Sequence, residues 1–428
     1  MNTGSKEQEK AILVGLKKRP LAGQMKADSL DELESLAESA GARVEGRLTQ
    51  DGRVIDPAFF IGRGKVAEIE GLVQERSADL VIFDDDLSPA QQRNLEDALG
   101  VIVIDRTGLI LDIFAQRARS REGKLQVELA QLSYLLPRLR GKGLVLSRLG
   151  GGIGTRGPGE TKLEMDRRRI KERMSRLKKD LEQIRNVRST QRRSRKYHGQ
   201  QLAALIGYTN AGKSTLLNRL SRAGVLAEDR LFSTLDPTIR KLRGVNRVLL
   251  SDTVGFIRHL PHQLVAAFKA TLEEVTEASL LIHVVDISNP FVEEQVASVN
   301  AVLEEIGIQE KDILYVLNKT DRVPERGAIR LWQRRLEPAV AVSARTGAGI
   351  EDLIAYINHW MAQKMPRVFL RLPLTEGSAI DRIYKNGTVL HTEYRGTDVL
   401  IEAQLDYTLA QSLRRFSIPP FRKKQASG

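Results

Sequence analysis

The stretch "LAALIGYTNAGKSTLLNRL", Leu202 to Leu220, constrains this chain more than any other. An apolar run leads into Gly207-x4-Gly212-Lys213-Ser214, and apolar residues at helical spacing follow. A strand running through a glycine-rich turn into a helix turns backbone N–H groups toward phosphates. Lys213 can then reach β- and γ-phosphates, and the Ser214 hydroxyl is a magnesium ligand. Gly207, Tyr208, Thr209, Asn210, Ala211, Gly212, Lys213, Ser214 and Thr215 are the expected phosphate-side residues of a nucleotide site.

Two distant motifs specify the nucleotide. In "LLSDTVGF" the Asp252 carboxylate can hold magnesium through water, and Gly255, after Thr253 and Val254, can offer its N–H to a γ-phosphate. "YVLNKTD" closes another apolar run with Asn318, Lys319, Thr320 and Asp321. A carboxylate there accepts from both guanine N1–H and the 2-amino group, and adenine offers neither donor. "VSAR", with Ser343, Ala344 and Arg345, fits a backbone N–H contact to guanine O6. GTP is the expected ligand and GDP the product.

Magnesium also needs a hydroxyl from the loop after the first helix, "RLFSTLDPTIRK". Thr234 is favoured, with Phe232, Ser233, Leu235 and Asp236 beside it, and Thr238 is the alternative, read as a turn residue after Pro237. Lys213, Thr234 and Gly255 are the catalytic candidates; Ser214, Thr234 and, through water, Asp252 are the metal candidates. This ordered set resembles the Ras-like, translation-factor-related class of P-loop GTPases. Many members of that class place a water-orienting Gln where this chain has Phe256. A phenyl ring cannot hydrogen-bond a water, so slow intrinsic hydrolysis is expected. Asn210 stands where potassium-stimulated relatives carry Asn, which leaves K+ stimulation open beside the expected Mg2+.

Around this core the hydrophobic period changes along the chain. Four apolar runs, from Ala11, Ala42, Leu80 and Val101, are separated by helix-like stretches, among them "LSPAQQRNLEDALG" with Ser88 as cap and Pro89 at the first helical position. That alternation predicts a small parallel α/β subdomain over residues 1–106 without a phosphate loop of its own. Phe114, Ala118, Leu125, Leu129, Leu132 and Leu136, then Ile170, Met174, Leu177, Leu181 and Ile184, fall at helical spacing. They predict an antiparallel hairpin over 107–198 with a coiled-coil seam. A second βα alternation over 199–366, with runs at Leu202–Ile206, Val248–Leu250, Leu280–Val285, Ile313–Leu317 and Val340–Val342, is the Ras-like G domain. Residues 367–428 read as strand–helix–strand–strand–helix, a small α+β domain.

Charge identifies the partner class. Between Arg106 and Lys196 lie 25 Lys and Arg against 9 Asp and Glu, a local net of +16, while the remainder nets −3. So local an excess is the footprint of a polyanion, nucleic acid first. Cysteine is absent, which excludes disulfides, thiolate zinc sites and thiol nucleophiles. His259-x-x-His262 has no carboxylate cluster beside it to make a metal site. No apolar run approaches the roughly 20 residues that span a bilayer, so a cytoplasmic protein is expected; the free protein is also expected to be monomeric.

Between the hairpin helices lies "SRLGGGIGTRGPGETKLEMDRRR", whose Gly152-x-Gly154-x-x-Gly157 has dinucleotide-turn spacing. A dinucleotide fingerprint needs a strand before it and a helix at its last glycine. Here Pro158 and Gly159 follow, and the helix signal starts at the capping box Thr161-x-x-Glu164, which disfavours an oxidoreductase. Arg148, Arg156, Lys162, Arg167, Arg168 and Arg169 are the RNA-binding candidates at or near this tip.

"GGGIGTRGPGETKLEMDRRRIKERMSRLKKDLE", with "SPAQQRNLE", "TLDPTIRK", "DTVGFIRHLPHQLVAAFKATLEE" and "NKTD", resembles the signature of the HflX family of ribosome-associated GTPases. The match covers about residues 10 to 365, and the segment from Arg367 matches more loosely. The resemblance implies a factor that binds the large ribosomal subunit and its RNA in the GTP state. Family members split or rescue stalled or idle ribosomes, particularly under stress, with the hairpin tip near the peptidyl transferase region. The alternative is a GTPase of ribosome assembly or RNA modification.

Overall fold

The computed structural model describes residues 8–17, 29–51, 55–139, 162–197, 200–221, 231–232, 238–245, 248–253, 255–257, 269–308, 311–405 and 407–420. Side-chain surroundings are described for these except 162–163, 191–197, 269–272 and 407–408. Expected site residues Arg148, Arg156, Ser233, Thr234, Leu235, Asp236 and Val254 lie outside the described residues, as do the tip glycines 150–159.

The N-terminal unit runs β1 (Lys10–Lys17), α1 (Ser29–Ala40), β2 (Arg43–Asp51), α2 (Arg63–Arg76), β3 (Leu80–Phe83), α3 (Pro89–Leu99), β4 (Ile102–Asp105) and α4 (Arg106–Arg117). Its four strands are parallel in the order β2-β1-β3-β4. Alternate residues of each strand serve opposite faces. Ala11, Leu13, Leu80 and Ile82 meet Leu33 of α1 and Phe114 of α4, while Ile12, Val14, Val81 and Phe83 meet Ile69 of α2 and Leu95 of α3. Each such buried side chain contributes roughly 1.5–3 kcal/mol. The α3 start carries the full capping box: Gln91 N donates to Ser88 Oγ at 3.2 Å, and Ser88 N donates to Gln91 Oε1 at 2.9 Å.

The first arm of the hairpin differs from the sequence expectation. It is two helices: α4 ends at Arg117, and α5 (Arg121–Arg138) starts afresh where Ser120 Oγ accepts from Gly123 N at 2.9 Å. Val127, Ala130 and Tyr134 bury one stripe of α5 in the same core as Phe114, so α5 is anchored to the N-terminal unit. The second arm, α6 (Lys162–Tyr197), is one helix of 36 residues. Leu177 is fully buried, and Ile170, Met174, Leu181 and Ile184 are half-buried beside it, a seam at coiled-coil spacing. Arg173 grips Glu128 with two hydrogen bonds, 2.6 and 2.8 Å, and Arg188 pairs with the earlier Glu122, so the arms run antiparallel.

The G domain follows as β5 (Gln201–Ile206), α7 (Lys213–Leu220), β6 (Thr238–Lys241), β7 (Val248–Asp252), α8 (Lys269–Glu277), β8 (Leu280–Asp286), α9 (Val292–Glu305), β9 (Asp312–Asn318), α10 (Arg326–Arg335), β10 (Ala339–Ala341) and α11 (Ile350–Lys364). The sheet order is β10-β9-β8-β5-β7-β6, parallel except for β6 against β7. Thr238, expected as a turn residue, is instead the first residue of β6 and pairs with Asp252. β11 (Arg367–Pro373), α12 (Gly377–Asn386), β12 (Thr388–Arg395), β13 (Asp398–Gln404) and α13 (Tyr407–Ser412) form the C-terminal antiparallel unit, with Gly396 at φ +58° in its tight turn. Among the described residues no helix is long and apolar enough to cross a membrane.

The positive excess of the 106–196 segment is partly spent inside the protein. Arg106, Arg138, Arg173, Arg185 and Arg188 all sit in ion pairs with carboxylates of their own chain. Arg168 and Arg169, on the first turns of α6, are exposed, and each makes an ion pair at 3.8 Å, with Glu172 and Asp166 respectively. Arg167 faces inward, half-buried near the seam, and Lys162 is the first residue of the helix.

Candidate nucleotide-binding site

At the end of β5 the backbone turns through conformations that select glycine. Gly207 has φ +145°, and a Cβ there would lie 2.3 Å from the Val284 carbonyl oxygen. Gly212 has φ +94°, and a Cβ there would lie 2.2 Å from Asn318 Nδ2. Asn210 adopts φ +60°, which its side chain tolerates better than most. Lys213 is buried beneath the loop it closes, where its Nζ donates to the carbonyls of Gly207 at 3.0 Å and Tyr208 at 2.7 Å. Burial pushes the ammonium down to about 8, against the pull of Asp252.

Ser214 Oγ donates to Asp252 Oδ2 at 3.0 Å, and Asp252 is fully buried at the end of β7. Thr253 N donates to Asp252 Oδ1 at 3.0 Å, and the Thr253 hydroxyl is held by the Leu205 carbonyl. The chain then returns alongside the loop: Phe256 N donates to Gly207 O at 3.1 Å, and Thr209 N donates to Phe256 O at 2.7 Å. Gly255 is thereby pressed against Thr209 and Lys213, leaving no room for a side chain. The Phe256 ring is fully buried and turned away into the core shared with the N-terminal unit.

The far end of the site gathers the base-side residues. Asn318 Nδ2 donates to Ala211 O at 2.8 Å, and its Oδ1 accepts from Ala344 N at 2.9 Å, tying the loop after β10 to the phosphate loop. Asp321 accepts from Ser343 Oγ at 2.6 Å and pairs with Arg345 at 2.8 Å. The Ser343 hydrogen bond, aided by Arg345, holds its carboxyl below the usual range, so it stays an acceptor. Lys319, at φ +62°, pairs with Asp286 at 2.6 Å, and Thr320 N donates to Val342 O.

Segments far apart in sequence thus converge on one strand edge: Gly207–Thr215, Asp252–Thr253, Gly255, Asn318–Asp321 and Ser343–Arg345. The side chains of two expected residues pack against the N-terminal unit instead. The Tyr208 phenol points to Glu32 of α1, and Phe232 packs edge-on against Phe114 with ring centroids 4.7 Å apart. Four residues here have no local sequence signature. Arg219 of α7 holds the Ala344 and Arg345 carbonyls, and Asp286 fixes Lys319. Glu32 approaches from another domain, and His283, buried in β8, packs on Tyr315 with its Nδ1 lacking a partner.

The chain matches known proteins over most of its length. Residues 27–115 match the family model described as GTP-binding GTPase N-terminal, 117–195 its middle region, and 202–319 the model described as 50S ribosome-binding GTPase. GTPase HflX of Caldanaerobacter subterraneus is 44% identical over 97% of this chain and 95% of its own length. GTPase HflX of Escherichia coli is 48% identical over 84% of this chain and 85% of its own. A solved GTP-binding protein of Sulfolobus solfataricus in complex with GDP is 26% identical, covering 83% of this chain and 99% of that one, with a TM-score of 0.45. With such identity over nearly the whole length, this chain belongs to the HflX family of GTPases and hydrolyses GTP.

Proposed function

We propose that the protein is a cytoplasmic, GTP-driven factor that binds the large ribosomal subunit and separates stalled or idle ribosomes. The observation that carries this reading is the attachment of the basic arm to the G domain. Arg185 of α6 pairs with Glu273 at 2.5 Å, and Arg188 pairs with Glu122 at 2.6 Å and reaches Glu274 at 3.8 Å. Glu273 and Glu274 belong to α8, the described helix that follows the Asp252–Ile257 segment in the chain. A nucleotide-dependent shift of that segment would therefore reach the arm through a short, charged joint. Arg168 and Arg169 offer exposed guanidinium groups for RNA phosphates and unpaired bases, and Arg148, Arg156 and Lys162 extend that surface by sequence.

In this reading the N–H groups of Gly207–Ser214 bind the phosphates, Lys213 neutralises them, and Asp321 with the Ala344 N–H recognises guanine. Ser214 and Asp252 suit Mg2+: a hydroxyl and a carboxylate already stand within hydrogen-bonding distance, both buried. When bound, Mg2+ supplies charge neutralisation across the β- and γ-phosphates. Thr234 would complete its ligands, and Gly255 would offer its N–H to the γ-phosphate. With the Phe256 ring buried, no side chain at that position orients the attacking water, so intrinsic hydrolysis is slow.

Sedimentation of intact ribosomes with the protein and a non-hydrolysable GTP analogue tests the proposal. Conversion to subunits, with the protein on the large one, is expected. Unchanged ribosomes, with the protein on precursor particles, would replace it with an assembly role. Deletion of residues 150–159 should abolish the ribosome effect and leave intrinsic GTP hydrolysis within about twofold.

A further inference from the structure

Three segments near the nucleotide site each contribute one aromatic side chain to the core shared with the N-terminal unit. Tyr208 comes from the phosphate loop, Phe232 from the segment ahead of the expected magnesium threonine, and Phe256 from the segment after Asp252. All three are buried in one core with Leu30, Leu33 and Leu36 of α1 and Phe114 of α4. Leu231 N also donates to Ser39 Oγ of α1 at 3.2 Å.

At the centre of this contact is a polar chain. The Tyr208 hydroxyl donates to Glu32, 2.9 Å from each carboxylate oxygen. Glu32 is held by Arg106 at 2.8 Å, and the other terminal nitrogen of Arg106 bonds Asp84 at 2.7 Å. Arg106 is almost completely buried, so this charged string has little freedom to rearrange without opening the interface. Tyr208 is also the residue whose carbonyl accepts from Lys213 Nζ, and the next N–H, of Thr209, bonds Phe256 O. The residue that the N-terminal unit grips is therefore one that orients the phosphate-loop lysine.

We propose that Glu32 is a positioning residue for nucleotide retention: through the Tyr208 hydroxyl it fixes the carbonyl that aligns Lys213, which couples nucleotide affinity to docking of the N-terminal unit. The inference rests on reading Gly207–Ser214 as the phosphate loop. Thermodynamic reciprocity then requires bound nucleotide to tighten the N-terminal contact in the same measure.

Release of a fluorescent GDP analogue from the full-length protein, followed by stopped flow, tests this. Tyr208→Phe removes only the hydroxyl and leaves Arg106, Glu32 and Asp84 together; Glu32→Gln weakens the acceptor. Each single variant should release GDP at least about fivefold faster, and the double variant no faster than the quicker single one. GDP should slow amide exchange over residues 29–40 in the wild type and lose that effect in Tyr208→Phe. A contact that merely glues the domains would lower thermal stability and leave release unchanged. Wild-type release in both variants, or effects that multiply, overturns the proposal. Lys213→Ala separates the two readings: if it keeps full GDP affinity, the phosphate-loop assignment fails; if it loses GDP while Tyr208→Phe and Glu32→Gln release normally, only the role of Glu32 fails.

Discussion

The chain builds a parallel α/β sheet twice and treats the carboxyl edge of the two sheets in opposite ways. Behind β5, glycines keep the backbone open, a buried lysine lies beneath it, and the groups facing outward are N–H donors suited to an anion. Behind β3 and β4 the edge carries carboxylates, and the protein consumes them itself. Asp105 accepts from Gly108 N, Leu87 N, the Tyr134 hydroxyl and Arg138, while Asp84 takes Arg106 and the Ser29 hydroxyl. Thr107 occupies Asp86. The same architecture thus yields a phosphate receptor where side chains are withdrawn, and a closed scaffold where acidic side chains find internal partners. Fold alone does not assign a ligand; the chemistry of the edge does.

Removing the internal partner is the strongest way to break this contrast. Arg106→Ala leaves the half-buried Asp84 and Glu32 without their cation and should cost about 3 kcal/mol by chemical denaturation. A loss below about 1 kcal/mol would mean that the acidic edge does not need closing. On the other edge, Lys213→Ala should weaken nucleotide binding on the order of 100-fold or more, read by fluorescent-nucleotide titration. An affinity within threefold of wild type would erase the distinction between the sheets.

His283 sharpens the same comparison from beneath the phosphate loop. Burial, with Lys213 nearby, pushes its imidazole down to about 3 from an ordinary 6.5. It folds neutral, so its stabilising contribution is complete above pH 6.5 and is lost as pH falls toward 3. Between pH 7 and pH 5 that amounts to about 2 kcal/mol. His283→Gln should flatten this part of the stability profile; an unchanged profile would show that the histidine is not desolvated. The smallest effect is expected at the base. Asp321→Asn loses an anionic acceptor and should lower the preference for GTP over xanthosine triphosphate at least about tenfold, by competition binding.

Much of this was legible from residue order, because each strand that carries a motif is an apolar run between clear turn signals. β6 is hard to read because three of its four residues, Thr238, Arg240 and Lys241, are polar, and none of the four is fully buried at the sheet edge. The break at residues 118–120 has one faint signal, Ser120 at the cap position three residues before Gly123, inside a run that otherwise keeps helical spacing. Arg106 counts with the basic arm in the sequence, which gives a charge but not its partners, Asp84 and Glu32, 22 and 74 residues away. The Tyr208–Glu32 contact spans 176 residues, and no local period or spacing encodes it. His283 sits inside an apolar run that reads as core, which it is, and only the packed sheet reveals its missing partner.

The length of α6 has a mechanical meaning. From Arg188, where it is fastened to α5 and α8, back to Lys162 the helix spans 26 residues, about 39 Å at 1.5 Å per residue. Because Arg173 and the seam through Leu177 also bind α6 to α5, the arms and the unit that anchors α5 would tilt together. A ten-degree rotation about the Arg188 fastening would displace the far end of α6 by about 7 Å. Small rotations at that fastening would arrive at Lys162 as displacements wider than a base pair is thick.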